Sequence, residues 1–132
     1  MKKLTLIALG FVLALSACKK DEVPDDNNTG QPVADCDTAF NPIVMCHGFL
    51  ASGDTYAGQV KRFVQNNYCA DRVFVFDWNS LGGGSAEGLL DDYIDAILEQ
   101  TGATQVELVG HSAGGGLGYT YLSDATRAAK VA

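Results

Sequence analysis

From residue 41 onward the chain carries three short apolar runs: Ile43-Val44-Met45-Cys46, Val73-Phe74-Val75-Phe76, and Val106 to Val109. None alternates strictly between polar and apolar, which is the pattern of strands buried on both faces, and strands are expected near 43–46, 72–76 and 105–109. The segments between them follow a helical period. Tyr56, Val60, Phe63 and Val64 recur every three or four residues. Leu89, Leu90, Tyr93, Ile94, Ile97 and Leu98 form a wider stripe, with Asp91, Asp92, Asp95 and Glu99 off it or at its margin. Gly102 is placed to stop that helix. A third helix is expected over Leu117 to Leu122, with Gly115, Gly116 and Gly118 giving it a thin face that can lie against a sheet. Strand and helix alternate, so the fold class is α/β: a parallel three-stranded core with crossover helices.

The residues before this region read differently. Met1-Lys2-Lys3 is basic, Leu4 to Leu15 is apolar and too short to span a bilayer, and Leu15-Ser16-Ala17-Cys18 closes the run, matching the plan of a secretory signal. Those last four residues resemble the lipobox of bacterial lipoproteins, whose cysteine is lipidated and becomes the new N-terminus. The resemblance implies a signal peptide over 1–18 and export with a lipid anchor at Cys18 to the cell envelope. Lys19-Lys20-Asp21-Glu22 further resembles a signal for the outer face of the outer membrane. Residues 19–40 are polar and poor in apolar spacing, the composition of a disordered tether, and residues 41–132 carry the folded domain.

Charge and cysteine content narrow the partners. The formal net charge is −7, and loss of Lys2 and Lys3 with the leader makes it two units more negative, which argues against nucleic acid. Cys46 lies in an apolar run and reads as a buried small hydrophobe. Cys36 and Cys69 lie in polar segments, and export permits either a disulfide between them or two free thiols. No metal is expected, because the spacing of cysteines and histidines fits no common zinc pattern, and no cofactor is expected either. The glycines at 82–84 lack the spacing of a nucleotide cradle and read as a turn.

The chemistry concentrates in Gly110-His111-Ser112-Ala113-Gly114, a G-x-S-x-G pentapeptide that follows the third apolar run. A serine nucleophile must be exposed to a substrate carbonyl and lie within reach of a base. A sharp strand-to-helix turn provides that exposure, and the close approach of helix and strand explains glycine at 110 and 114. His47-Gly48-Phe49 follows the first run in the same way. Acyl transfer needs two preorganised backbone donors for the oxyanion, and the loop after the first strand and the start of the nucleophile's helix are where they would lie.

Together the two motifs, separated by two β-α units, resemble the α/β-hydrolase family, and most closely its secreted bacterial lipases and esterases. The resemblance covers about Pro42 to the C-terminus. It implies a serine hydrolase of carboxylic esters, acting on lipidic or other ester substrates through an acyl-enzyme on Ser112. The N–H groups of Phe49 and Ala113 would form the oxyanion hole. His47 would shape its loop by hydrogen bonding, with Gly48 allowing the turn, and His111 would neighbour the nucleophile with its side chain directed away from the catalytic face. Asp77-Trp78 and the glycines after it correspond to a loop that borders the site.

In that family the triad acid and histidine follow the serine. The twenty residues after Ser112 contain Asp124 and no histidine. Asp124 falls at or beyond the end of the third helix and is a poor triad acid. The expectation is therefore an N-terminal part of an enzyme, inactive as these 132 residues. The other reading is a non-catalytic surface lipoprotein that binds a lipid or a partner chain. Oligomeric state is left open.

Overall fold

The computed structural model describes residues 36–82 and 84–132. The expected signal peptide, Cys18 and residues 19–35 of the expected tether lie outside the described residues.

Three parallel strands form the sheet: β1 (Ile43–Cys46), β2 (Val73–Phe76) and β3 (Glu107–Gly110), in the spatial order β2-β1-β3. Ile43 pairs with Val73 and Glu107, and Cys46 pairs with Phe76 and Gly110, so the three strands end level. All four β1 residues are buried, because β1 is central and covered on both faces. Its side chains alternate between two cores. Val44 and Cys46 join Phe76, Leu90, Ile94, Ile97, Val106, Leu117 and Tyr121, whereas Ile43 and Met45 join Tyr56, Val60 and Phe63.

Helix α1 (Ala57–Gln65), entered through a 3₁₀ turn at Gly53–Tyr56, covers the second core. α2 (Ala86–Thr101) and α3 (Ala113–Leu122) cover the first. The chain steps from β1 to β2 on one side and then back across β1 to β3. Right-handed crossovers in opposite directions put their helices on opposite faces. A short α4 (Ala125–Ala128) follows.

Local chemistry fixes the helix ends. The Ser85 hydroxyl accepts from the Gly88 N–H at 3.0 Å and opens α2. Gly102, at φ 67°, closes it with its N–H on the Leu98 carbonyl, as the sequence indicated. Two apolar stripes are narrower than expected: Val64 and Leu89 face solvent, 41% and 59% exposed. α3 starts at Ala113, four residues before the expected Leu117, because the helix begins immediately after the serine turn. β3 runs over 107–110 instead of 105–109, and Val106, just before it, forms an isolated parallel bridge with Val131.

The expected boundary at residue 41 also moves. Cys36 is disulfide-bonded to Cys69, the Asp37 N–H donates to the Asn67 carbonyl at 2.8 Å, and Phe40 stacks on Tyr68 at 4.7 Å. Residues 36–40 are thus docked beside the start of β2 and belong to the folded domain. A covalent link and a backbone bridge offset the ordering entropy that their composition alone does not.

Candidate active site

The sheet order reverses at β1, so the crevice beyond the C-terminal ends of β1 and β3 is a topological switch point, where open α/β sheets bind ligands. Both motifs emerge there. Residues 47–50 leave β1, and His111-Ser112 joins β3 to α3.

Ser112 has φ 52° and ψ −117°, a conformation that costs a non-glycine residue about 1–3 kcal/mol. The turn is held by close backbone packing on both sides. A methyl group on Gly110 would lie 2.6 Å from both the Gly114 carbonyl oxygen and Gly115 Cα, and one on Gly114 would overlap the carbonyl of Cys46. The two glycines therefore answer to different neighbours: Gly110 lets β3 meet α3, and Gly114 lets α3 meet the end of β1. The sequence suggested one strand–helix contact for both. Of the later glycines, Gly115 and Gly118 face β3, while Gly116 meets open space.

The Ser112 side chain is exposed and makes no hydrogen bond to any described residue, so its hydroxyl is not consumed in capping α3. The Ala113 N–H, the first of α3, likewise has no acceptor among the described residues, and neither has the Phe49 N–H. The β1–α1 loop lies directly on the serine turn: a methyl group on Gly48 would be 3.4 Å from Ser112 Cβ and 3.1 Å from His111 Nδ1. The His111 ring therefore lies beside Gly48, against that loop. The His111 N–H donates to the Cys46 carbonyl at 3.1 Å, and the same oxygen accepts from the buried Tyr56 hydroxyl at 2.9 Å. Burial, with a smaller contribution from Cys46, raises the Tyr56 pKa, so the phenol remains a donor.

His47 is fully buried, and both its ring nitrogens are engaged. Nδ1 lies 2.8 Å from the Gly48 carbonyl, which can only accept, so Nδ1 carries the proton. Nε2 then accepts from the Trp78 N–H at 3.2 Å. Asp77 Oδ1 is 3.0 Å from the same nitrogen, a contact that becomes an ion pair only when the ring gains a second proton. The Trp78 indole stacks on His47 and donates through Nε1 to the His47 carbonyl at 3.1 Å. Neither His47 nor His111 hydrogen-bonds Ser112.

Asp124 caps α4 by accepting from the Thr126 and Arg127 N–H groups. Those hydrogen bonds, first that from Arg127, lower its pKa. Its carboxylate is occupied at a helix end. Cys46 is a buried free thiol, its pKa pushed up to about 12 by desolvation, as suits a packing residue. Among the described residues there is no cluster of three or more His, Cys, Asp or Glu side chains arranged to hold a metal ion. Sequence reasoning missed Ser80, whose hydroxyl accepts from the Leu50 N–H at 2.8 Å; a lone serine in a polar loop carries no signal.

A strained serine turn between a parallel strand and a helix, at a switch point and beside a loop whose Phe49 N–H has no acceptor among the described residues, is set in an α/β fold. Residues 41–132 match the family described as alpha/beta hydrolase fold, and the chain belongs to that family.

Proposed function

We propose that this domain is the nucleophile-bearing part of a serine hydrolase of carboxylic esters, lipase- or esterase-like. The observation that carries the reading is Ser112: strained and exposed, its hydroxyl and the N–H that follows it without partners among the described residues, and the Gly48-Phe49 loop packed against it. Ser112 Oγ attacks the ester carbonyl carbon while a general base takes the hydroxyl proton. The N–H groups of Phe49 and Ala113 receive the oxyanion; collapse expels the alcohol, and water then releases the acid from the acyl-enzyme. Phe49, Leu50 and Leu81 are 57%, 68% and 71% exposed on the two loops at this edge, which favours an apolar ester such as an acylglycerol.

Neither His47 nor His111 hydrogen-bonds Ser112, which supports the expectation that residues 1–132 by themselves turn over little substrate. Export with a lipid anchor at Cys18 is part of the same proposal and is supported by the Cys36–Cys69 disulfide, a bond of oxidising compartments. Fluorophosphonate labelling of the full-length protein tests the nucleophile. Labelling that disappears in Ser112→Ala is expected; no labelling, or equal labelling in that variant, overturns the assignment. Palmitate incorporation that is unchanged in Cys18→Ala would overturn the anchor.

A further inference from the structure

An oxyanion donor works only if it is held in place before the charge develops. The Phe49 N–H, on the reading proposed above, is such a donor, yet the packing of its own side chain does not fix it, since Phe49 is more than half exposed. The next residue, Leu50, adopts φ 55°, a left-handed conformation unfavourable for a leucine. The Ala51 N–H donates to the Gly48 carbonyl at 3.3 Å and closes a turn around Phe49 and Leu50, and that turn must itself be tied to the rest of the domain.

The β2–α2 loop provides a tie on each side of Phe49. Upstream, the Trp78 backbone N–H donates to His47 Nε2 at 3.2 Å and the indole N–H to the His47 carbonyl at 3.1 Å. Downstream, the Leu50 N–H donates to Ser80 Oγ at 2.8 Å. Ser80 is itself presented by a small turn in which Asn79 Oδ1 accepts from the Leu81 N–H at 3.1 Å and Asn79 Nδ2 donates to the Gly82 carbonyl at 3.3 Å. All three inter-loop bonds avoid Phe49 and leave its N–H free.

We propose that Trp78 and Ser80 are positioning residues for the Phe49 oxyanion donor, gripping the β1–α1 loop before and after it. Ser80 makes the sharper case: its hydroxyl accepts from the Leu50 N–H and ties the Gly48–Ala51 turn to the β2–α2 loop. Without it the Gly48–Ala51 turn can shift as a unit and carry the 48–49 peptide, which holds the Phe49 N–H, away from the oxyanion.

The test is the kinetics of Ser112 phosphonylation by a fluorophosphonate in the full-length protein, separated into reversible binding of the probe and the covalent step. Ser80→Ala is expected to slow the covalent step about 10- to 100-fold, the scale of a displaced catalytic donor, with probe binding and the thermal midpoint little changed. Ser80→Thr, which keeps the acceptor, is expected to restore the rate to within a few-fold. Trp78→Phe, which keeps the ring and removes the indole N–H, is expected to act in the same direction. A covalent step unaltered in Ser80→Ala, or lost equally in Ser80→Thr, overturns the positioning role. If Ser80→Ala does not fold, an unaltered covalent step in Trp78→Phe overturns it instead. A wild-type protein that labels no faster than Ser112→Ala overturns the proposed nucleophile, and this inference with it.

Discussion

The carbonyl oxygen of Cys46 occupies the space in which a side chain on Gly114 would begin, so the last residue of β1 and the first turn of α3 meet backbone to backbone. The same oxygen accepts from the His111 N–H and the Tyr56 hydroxyl, which makes it the junction between the central strand, the serine turn and the helix after it. Backbone cannot yield as a flexible side chain does. Gly114→Ala is therefore expected to lower unfolding free energy by about 3 kcal/mol or more, or to prevent folding. Gly116→Ala, in the same helix but facing open space, is expected to gain about 1 kcal/mol. Urea unfolding of the two variants distinguishes a packing requirement from a general preference for glycine in α3.

Ser112 makes the opposite trade. Glycine at this position relieves the φ 52° conformation, and the relief exceeds the added entropy of the unfolded chain. Ser112→Gly is expected to be about 1 kcal/mol more stable than the wild type while losing all fluorophosphonate labelling. A destabilised Ser112→Gly would show that the turn is not strained.

The Cys36–Cys69 bond spans a sequence separation of 33 and encloses β1, the His47-Gly48-Phe49 loop and α1. Closing a loop of that length restricts the unfolded chain by about 3–4 kcal/mol. The double variant Cys36→Ser/Cys69→Ser, or the wild type in reductant, is expected to lose stability on that scale in urea. Cys46 is expected to resist thiol reagents until the protein unfolds, because it is buried and its pKa is near 12.

A charge network ties α2 to the chain after α3. Asp91 accepts from Lys130 Nζ and from the Tyr121 hydroxyl, each at 2.9 Å, and Lys130 also pairs with Asp95. The Lys130 hydrogen bond is the largest influence holding the Asp91 carboxyl below its ordinary value of 3.8. Burial opposes the charge on Lys130, but its bonds to Asp95 and Asp91 outweigh it and raise its pKa above 10.5. The depressed acid contributes stability above about pH 4, lost as pH falls through its folded pKa; the raised base contributes below 10.5, lost as pH rises through its own. Thermal midpoints measured against pH are expected to fall at both extremes. Asp91→Asn should flatten the acid limb, and Tyr121→Phe should cost about 1 kcal/mol at neutral pH.

Much of this was legible in the chain. The apolar runs specified the three strands, although only central β1 is buried throughout, while β2 is largely half-buried and Val109 in β3 is exposed. Gly102 marked the end of α2 because only a residue free of Cβ strain closes a helix at positive φ. The pentapeptide pointed to the serine turn because Gly110 answers to a steric requirement that is local in sequence, whereas Gly114 answers to the distant Cys46 carbonyl. Local pattern did less well where a neighbour distant in sequence decides. Residues 36–40 look like tether by composition, and only Cys69 and Tyr68 draw them into the domain. Val64 and Leu89 fit their helical stripes, yet both face solvent.

The sequence by itself determined the α/β alternation, the serine turn and the family, because each rests on spacing along one segment of chain. The tertiary structure decided how the loops after β1, β2 and β3 meet. Level strand ends and the reversal at β1 bring Gly48 to Ser112, with Trp78 bonded to His47 before Phe49 and Ser80 to Leu50 after it. Hydrogen bonds between residues thirty apart leave no periodic trace in the chain; they exist only because a parallel sheet gathers its outgoing loops at one edge.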